Sequence, residues 1–502
     1  MTFIDTHPGV LFRAVTAIGL SLSPFFAALA GPAQTMTPIE HVVVIYQENV
    51  SFDHYFATYP QAANLPGERR FEAAADTPPV NGLSDTLLRH NPNAAQPFRL
   101  SPGQAATCDM DHAYTAEQQA ANHGLMDKFV EFTGPRGGCE PGVVMAYFDG
   151  NTVQALWNYA QHYAMSDNYF GTTFGPSTVG ALNLISGQTA GADVKNLAAR
   201  HQSDELLVVD GTLIADAQPQ YDDCSTRETV AMTGRNIGDL LNAKGITWGF
   251  FAGGFRSDAR DAQGKAICSA AHTGSDGKRK GDYIPHHQPF QYYVSTANLH
   301  HLPPARIALI GHGDQANHQY DLEDFWAAAQ AGNIPAVSYL KARAYQDGHA
   351  GYSDPLAEQA FLKETIDRLQ RSPQWQHMAI IITYDDSDGW YDHVMPPIVN
   401  QSGLRGIDAL TGPGQCGHMK PGAYPGRCGY GPRLPLLVIS PYAKRNFVDH
   451  HLADQTSILR FIEDNWQLGR IGDQSFDARA GSLLNLFDFT RAGSKRPASG
   501  AH

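Results

Sequence analysis

The chain has 502 residues, 42% hydrophobic and 10% aromatic, enough apolar material for a large core. A net charge of −14 leaves no basic patch to neutralise phosphates, which argues against nucleic acid as a binding partner. With 48 Gly and 31 Pro the chain is loop-rich, and its 22 His suit a site that handles metals or anions.

Near the N-terminus, Arg13 precedes the apolar stretch AVTAIGLSLSPFFAALA over residues 14–30, which ends in the small-residue pattern Ala28-Leu29-Ala30. It reads as a secretory signal over residues 1–30; a membrane anchor is the alternative, but Pro24 interrupts it and it is short for a span. Export to the periplasm or the medium is therefore expected. Six cysteines without a CxxC pair then read as up to three disulfides between sequence neighbours, most plainly Cys416 with Cys428.

Residues 41–46 (HVVVIY) form an apolar, β-branched run typical of a strand buried on both faces, followed by Glu48 and Asn49. Asn49 is either a metal ligand or a cap for a helix over residues 51–56. Residues 60–110 show little periodicity and read as a surface excursion. Asp109 to His112 precede a helical run closed by Gly124, and residues 151–164 form an amphipathic helix with Asn151 or Thr152 as cap.

Gly175 and Pro176 break the chain ahead of Ser177, with a helix expected beyond. Ser177 is either a simple N-cap or a hydroxyl placed where helix amides favour anions. A helix over 236–244 and strands over 206–209 and 246–251 come next, then a polar insertion over 256–282. Two adjacent histidines, His286 and His287, sit between prolines. Residues 321–331 read as a helix and 336–340 as a strand, with His349 beyond its end; residues 355–371 form a long helix.

Residues 378–383 (MAIIIT) repeat the buried-strand pattern and deliver Asp385 and Asp386 at the carboxyl end, where open α/β sheets bind ligands. The two carboxylates repel each other unless a cation sits between them, unless they merely cap the turn. If the two strands are parallel neighbours, Glu48, Asn49, Asp385 and Asp386 converge on one rim and suit a hard divalent cation. A loop-rich insertion at 396–432, a strand at 434–440, a helix at 455–467 and a disordered tail at 491–502 complete the chain. The alternation predicts one α/β domain over residues 38–490 with a mostly parallel sheet.

The segments QENVSFDHYF, GPSTVGALNLISG and YDDSDGWYDHV together resemble the bacterial acid phosphatase and phospholipase C phosphoesterase family, whose fold is similar to alkaline phosphatase. The resemblance implies an α/β/α three-layer core. It also implies that Glu48, Asn49, Asp385 and Asp386 bind one divalent cation, with Ca²⁺, Mg²⁺ or Mn²⁺ favoured by the oxygen ligands. Ser177 becomes the nucleophile and touches the metal, while His112, His286, His287 and His349 surround the phosphate. The serine form looks closer to the acid phosphatase branch, since threonine is usual at that position in the phospholipases. The leading expectation is a secreted acid phosphatase working through a phosphoserine, with cationic histidines in place of a second metal and an acidic pH optimum. The alternatives are a phospholipase C, for which a membrane is only the source of lipid substrate, and a non-catalytic exported protein that binds metal or anions.

Overall fold

In the computed structural model, residues 1–3, 34–196, 207–410, 412 and 414–490 are described. The signal expected over residues 1–30 lies almost wholly outside them, and the tail expected over 491–502 wholly so. Eight strands form one sheet: β1 (His41–Gln47), β2 (Ala164–Ser166), β3 (Trp248–Ala252), β6 (Gln319–Asp321), β7 (Val337–Lys341), β8 (Met378–Tyr384), β9 (Leu436–Ile439) and β10 (Phe447–Asp449). A separate hairpin, β4 (Ala271–Thr273) and β5 (Arg279–Gly281), lies between β3 and β6 in the chain.

The strand order is β6-β3-β7-β1-β8-β9-β2-β10. Only β9 runs against its neighbours, so the sheet is mostly parallel, as expected. The apolar runs alternate between its two faces. Val43, Ile45, Ile380 and Ile382 enter one buried cluster, whereas Val42, Val44, Ala379 and Ile381 enter another. Both faces are dry, which is why these strands read as continuous hydrophobic runs.

Helices cover each face, giving three layers. On the first lie α1 (Phe52–Phe56), α2 (Tyr114–Ala121), α3 (Gln154–His162), α6 (Leu322–Gln330) and α7 (Pro355–Gln370). On the second lie α4 (Ser177–Ser186), α5 (Ile237–Lys244) and α8 (Thr456–Trp466). Asp354 caps α7 by accepting from the Leu356 and Ala357 amides. Neither Asn151 nor Thr152 caps α3, whose N-cap is Val153. Among the described residues no helix is long and apolar enough to cross a membrane.

Two expectations need refinement. Residues 60–110 do run largely over the surface, but they are anchored to it: Phe71, Leu83 and Leu100 are buried in the core, and Arg99 bridges Glu68 and Asp149. These buried positions are isolated in sequence, so periodicity could not reveal them. The described part of the strand expected at 206–209, Val208–Val209, pairs with Thr212–Leu213 in a small hairpin outside the main sheet. The cysteines pair as sequence neighbours throughout, Cys108–Cys139, Cys224–Cys268 and Cys416–Cys428.

Candidate active site

The register brings three strand ends to one rim. Gln47 at the end of β1 lies opposite Tyr384 of β8, and Tyr46 opposite Lys341 of β7. Glu48, Asn49, Asp385 and Asp386 therefore leave the sheet side by side. Asn49 adopts a left-handed backbone, φ +60°, which Asn tolerates better than most residues. The cap of α1 is Ser51, whose hydroxyl accepts from the His54 amide, so Asn49 is free of that duty. The Asn49 amide donates to Asp385 Oδ1 at 2.8 Å, and its side-chain nitrogen donates to Asp388 Oδ1 at 2.9 Å.

Ser177 reaches the same place from α4. The N-cap is Pro176, and Ser177 is the first helical residue and makes no capping bond. Its hydroxyl lies instead 3.2 Å from Asp386 Oδ2 and 3.4 Å from Asn49 Oδ1, and it is buried. Gly180, one turn along α4, explains how the helix comes so close. A Cβ there would sit 2.1 Å from the Asp385 carbonyl oxygen.

The carboxylates form a floor whose charge the protein does not balance. Glu48, Asp385, Asp386 and Asp388 are at most 4% exposed. Among the described residues, Glu48 Oε2, Asp385 Oδ2 and Asp388 Oδ2 have no hydrogen-bond partner. Burial, then the neighbouring Asp385, pushes both Glu48 and Asp386 well above the usual carboxylate range. Burial likewise holds Asp388 at about 7. Unpartnered, buried, all-oxygen donors beside a hydroxyl fit a hard divalent cation. Part of the turn-capping reading also holds, because Asp386 Oδ1 accepts from the Asp388 amide at 2.6 Å.

The four histidines divide. His112 is buried 3.2 Å from Asp388 Oδ1, with Nδ1 donating to the Met110 carbonyl. Burial alone would lower it, but Asp386, Asp388 and Asp109 hold it well above its ordinary value. His349 Nδ1 donates to the Ala350 carbonyl, and its ring meets that of His112 edge-on at 6.4 Å. His287 departs from expectation: its Nδ1 faces Glu48 Oε1 at 3.1 Å, and burial, then His286, lowers it well below 6.5. His286 lies one ring further out, 4.4 Å from His287, and burial brings it down to about 3. Burial therefore works against the cationic form at both rings, in contrast to His112.

Sequence reasoning missed the cation that is built in. Lys341, 3% exposed at the end of β7, places its ammonium 2.9 Å from Glu48 Oε1 and 3.5 Å from Asp347 Oδ2. The signal was available: a charged residue ending an apolar strand run, the same feature that singled out Glu48. Asp388 and Asp347 were also missed. Ligand atoms of Glu48, His287 and Asp347 lie within 4.8 Å of one another, as do those of Asp109, His112 and Asp388.

Residues 39–469 match the model of the phosphoesterase family. The chain belongs to that family. Among curated relatives, the non-hemolytic phospholipase C of Pseudomonas aeruginosa is 25% identical, the alignment covering 97% of this chain and 63% of the relative. Phospholipase C B of Mycobacterium tuberculosis is also 25% identical, with 92% and 80% covered. This phosphoesterase thus spans roughly three-fifths of the first relative's length. A solved protein of the alkaline phosphatase superfamily from Vibrio parahaemolyticus is similar over 78% of this chain and 74% of its own, at 10% identity and a TM-score of 0.30.

Proposed function

We propose that the protein is an exported phosphoric ester hydrolase in which Ser177 is the nucleophile and Glu48, Asn49, Asp385, Asp386 and Ser177 hold one divalent cation. The observation that carries this is the Ser177 hydroxyl lying 3.2 Å from a buried carboxylate set with unpartnered oxygens. When bound, the cation supplies charge neutralisation at the attacking oxygen and the phosphoryl group. Export rests on the three disulfides, which persist in oxidising compartments.

The chain's own groups carry the rest. Ser177 Oγ forms the bond to phosphorus while its proton passes to Asp386 Oδ2. His112, protonated on both nitrogens, donates from Nε2 as the phosphorus–oxygen bond to the leaving group breaks. Water then attacks the phosphoserine, giving its proton to His112, and the Ser177 oxygen is released and reprotonated. Because His112 rather than His287 is held protonated, the loss of its proton sets the alkaline limb of the pH profile.

The relatives' names support phospholipase C-type diester cleavage over the acid phosphatase reading that led the sequence analysis. Phosphomonoester hydrolysis is the second reading, supported by serine rather than threonine at residue 177. Acid-quenched enzyme after brief exposure to labelled substrate should carry phosphate on Ser177. Label on another residue, or turnover retained by Ser177→Ala within about tenfold, would refute the proposal, since loss of a nucleophile costs at least about 10³-fold.

A further inference from the structure

The hairpin β4–β5 belongs to the polar insertion, and it is fastened beside the active site. The Ser275 amide donates to the Tyr352 carbonyl at 3.0 Å, and its hydroxyl donates to the Ser353 carbonyl at 2.8 Å. Tyr352 follows His349 closely and stacks on its ring at 4.3 Å. Lys280, on β5, lies over the Tyr352 ring at 4.2 Å. One aromatic ring therefore separates the Lys280 ammonium from a predicted phosphate-facing histidine.

A second cation approaches from another segment. Arg227 Nη2 donates to His286 Nδ1 at 3.2 Å. The guanidinium has no acceptor, so Nδ1 must carry the lone pair and Nε2 the proton. Arg227 thereby turns His286 into a fixed Nε2–H donor. The Arg227 backbone is held by Gln218 Oε1 at 2.8 Å, and Cys224, three residues before it, is bonded to Cys268, three before the hairpin. The disulfide staples the two cation-bearing segments together. Three carboxylates lie nearby: Asp347 pairs with Lys341, Asp109 lies 3.8 Å from His112, and Asp216 accepts from the Thr178 amide and also feels His286 and Arg227. Burial, then opposed by Asp347 and Asp109, lowers Lys280, and Arg227 contributes to the lowering.

We propose that Arg227 and Lys280 form a cationic lip that selects phosphoesters bearing a second negative charge on or beside the phosphorus, and disfavours a trimethylammonium headgroup. This rests on the hydrolase reading and names its substrate class. A phosphomonoester dianion and a lipid with an anionic headgroup both satisfy it. The lip repels choline directly, because like charges at close range cost binding.

The test compares the full-length enzyme with the Arg227→Ala/Lys280→Ala double variant. Substrates are p-nitrophenyl phosphate, p-nitrophenylphosphorylcholine, and vesicles of phosphatidylcholine with or without phosphatidylinositol 4-phosphate. Affinity for inorganic phosphate is measured by calorimetry alongside. Losing both cations should weaken phosphate binding and raise KM for the anionic substrates about tenfold, two partly exposed ion pairs' worth. The choline ester should hold or improve. Lys278→Ala, on the same hairpin with an 83% exposed side chain, should change nothing, and Lys280→Arg should keep phosphate affinity, which controls for misfolding. Turnover of p-nitrophenyl phosphate alone points to the monoester, and of the phosphoinositide alone to the lipid. Equal losses on anionic and choline substrates, unaltered phosphate affinity, or a wild-type preference for the choline ester would overturn the lip. If the wild type hydrolyses nothing yet loses phosphate affinity in the double variant, the hydrolase reading fails and the lip stands.

Discussion

Two clusters of buried acids are built from the same two stretches of chain, residues 48–54 and 385–393, and they are treated oppositely. Asp53 and Asp392 meet Arg433, whose side chain is fully buried, at 2.9 and 3.1 Å, and His393 completes the set 2.6 Å from Asp53. Burial would raise Asp53, but His393 and Arg433 hold it below its ordinary value. Among the described residues Glu48, Asp385 and Asp388 each keep an oxygen without a hydrogen-bond partner, and Lys341 offsets only part of the charge of the Glu48, Asp385, Asp386 and Asp388 set. One cluster closes its own electrostatics and fixes the fold. The other leaves charge uncompensated, and that is where a cation and a phosphoester belong.

Removing the arginine should break the closed cluster. Arg433→Met strands two buried carboxylates and should cost about 3–5 kcal/mol in urea unfolding, with little recovered by added metal. A smaller effect is expected where the open cluster meets its helix. Gly180→Ala forces a Cβ against the Asp385 carbonyl, and the resulting shift of α4 should destabilise the protein by about 1–3 kcal/mol and weaken metal affinity as well. If Gly180→Ala leaves metal affinity intact, the packing of α4 does not position the floor.

A pH effect sharpens the contrast further, at a residue that joins neither cluster's ion pairs. His54, next to Asp53 in the first stretch, stacks on Trp390 at 3.8 Å, and burial lowers its pKa to about 3. The unfolded chain takes up the proton first, near 6.5, so stability should fall as pH drops from about 6.5 toward 3, by about 1.4 kcal/mol per unit at most. His54→Gln should flatten that slope. An unchanged slope would assign acid lability to other groups.

How much of this was readable beforehand depended on locality. Val42 to Ile45 and Ile380 to Ile382 are unbroken apolar runs, so two central strands and the carboxylates that end them could be placed directly. Gly175 and Pro176 placed Ser177 at the start of a helix, and only the resemblance to the family singled it out as the nucleophile. Arg433 was not found, because its partners Asp53 and Asp392 lie far away in sequence and the residue itself sits in a loop-rich stretch. The lowering of His287 was hidden for a related reason: it depends on burial and on the distant Lys341 and His349 as well as on His286, and adjacent prolines announce neither burial nor distant partners. The lip was hidden too, since Arg227 and Lys280 lie far apart in the chain and are brought together by the Cys224–Cys268 disulfide.

The most direct test of the open floor is equilibrium unfolding of wild type and Asp386→Asn, first in EDTA and then with saturating Ca²⁺, Mg²⁺ or Mn²⁺. With one repelling carboxylate gone, Asp386→Asn should be more stable than wild type without metal and gain almost nothing when metal is added. The wild type should gain about 2.7 kcal/mol at a hundredfold excess over Kd. A metal-free variant less stable than wild type, or one that gains as much from metal, would contradict the account.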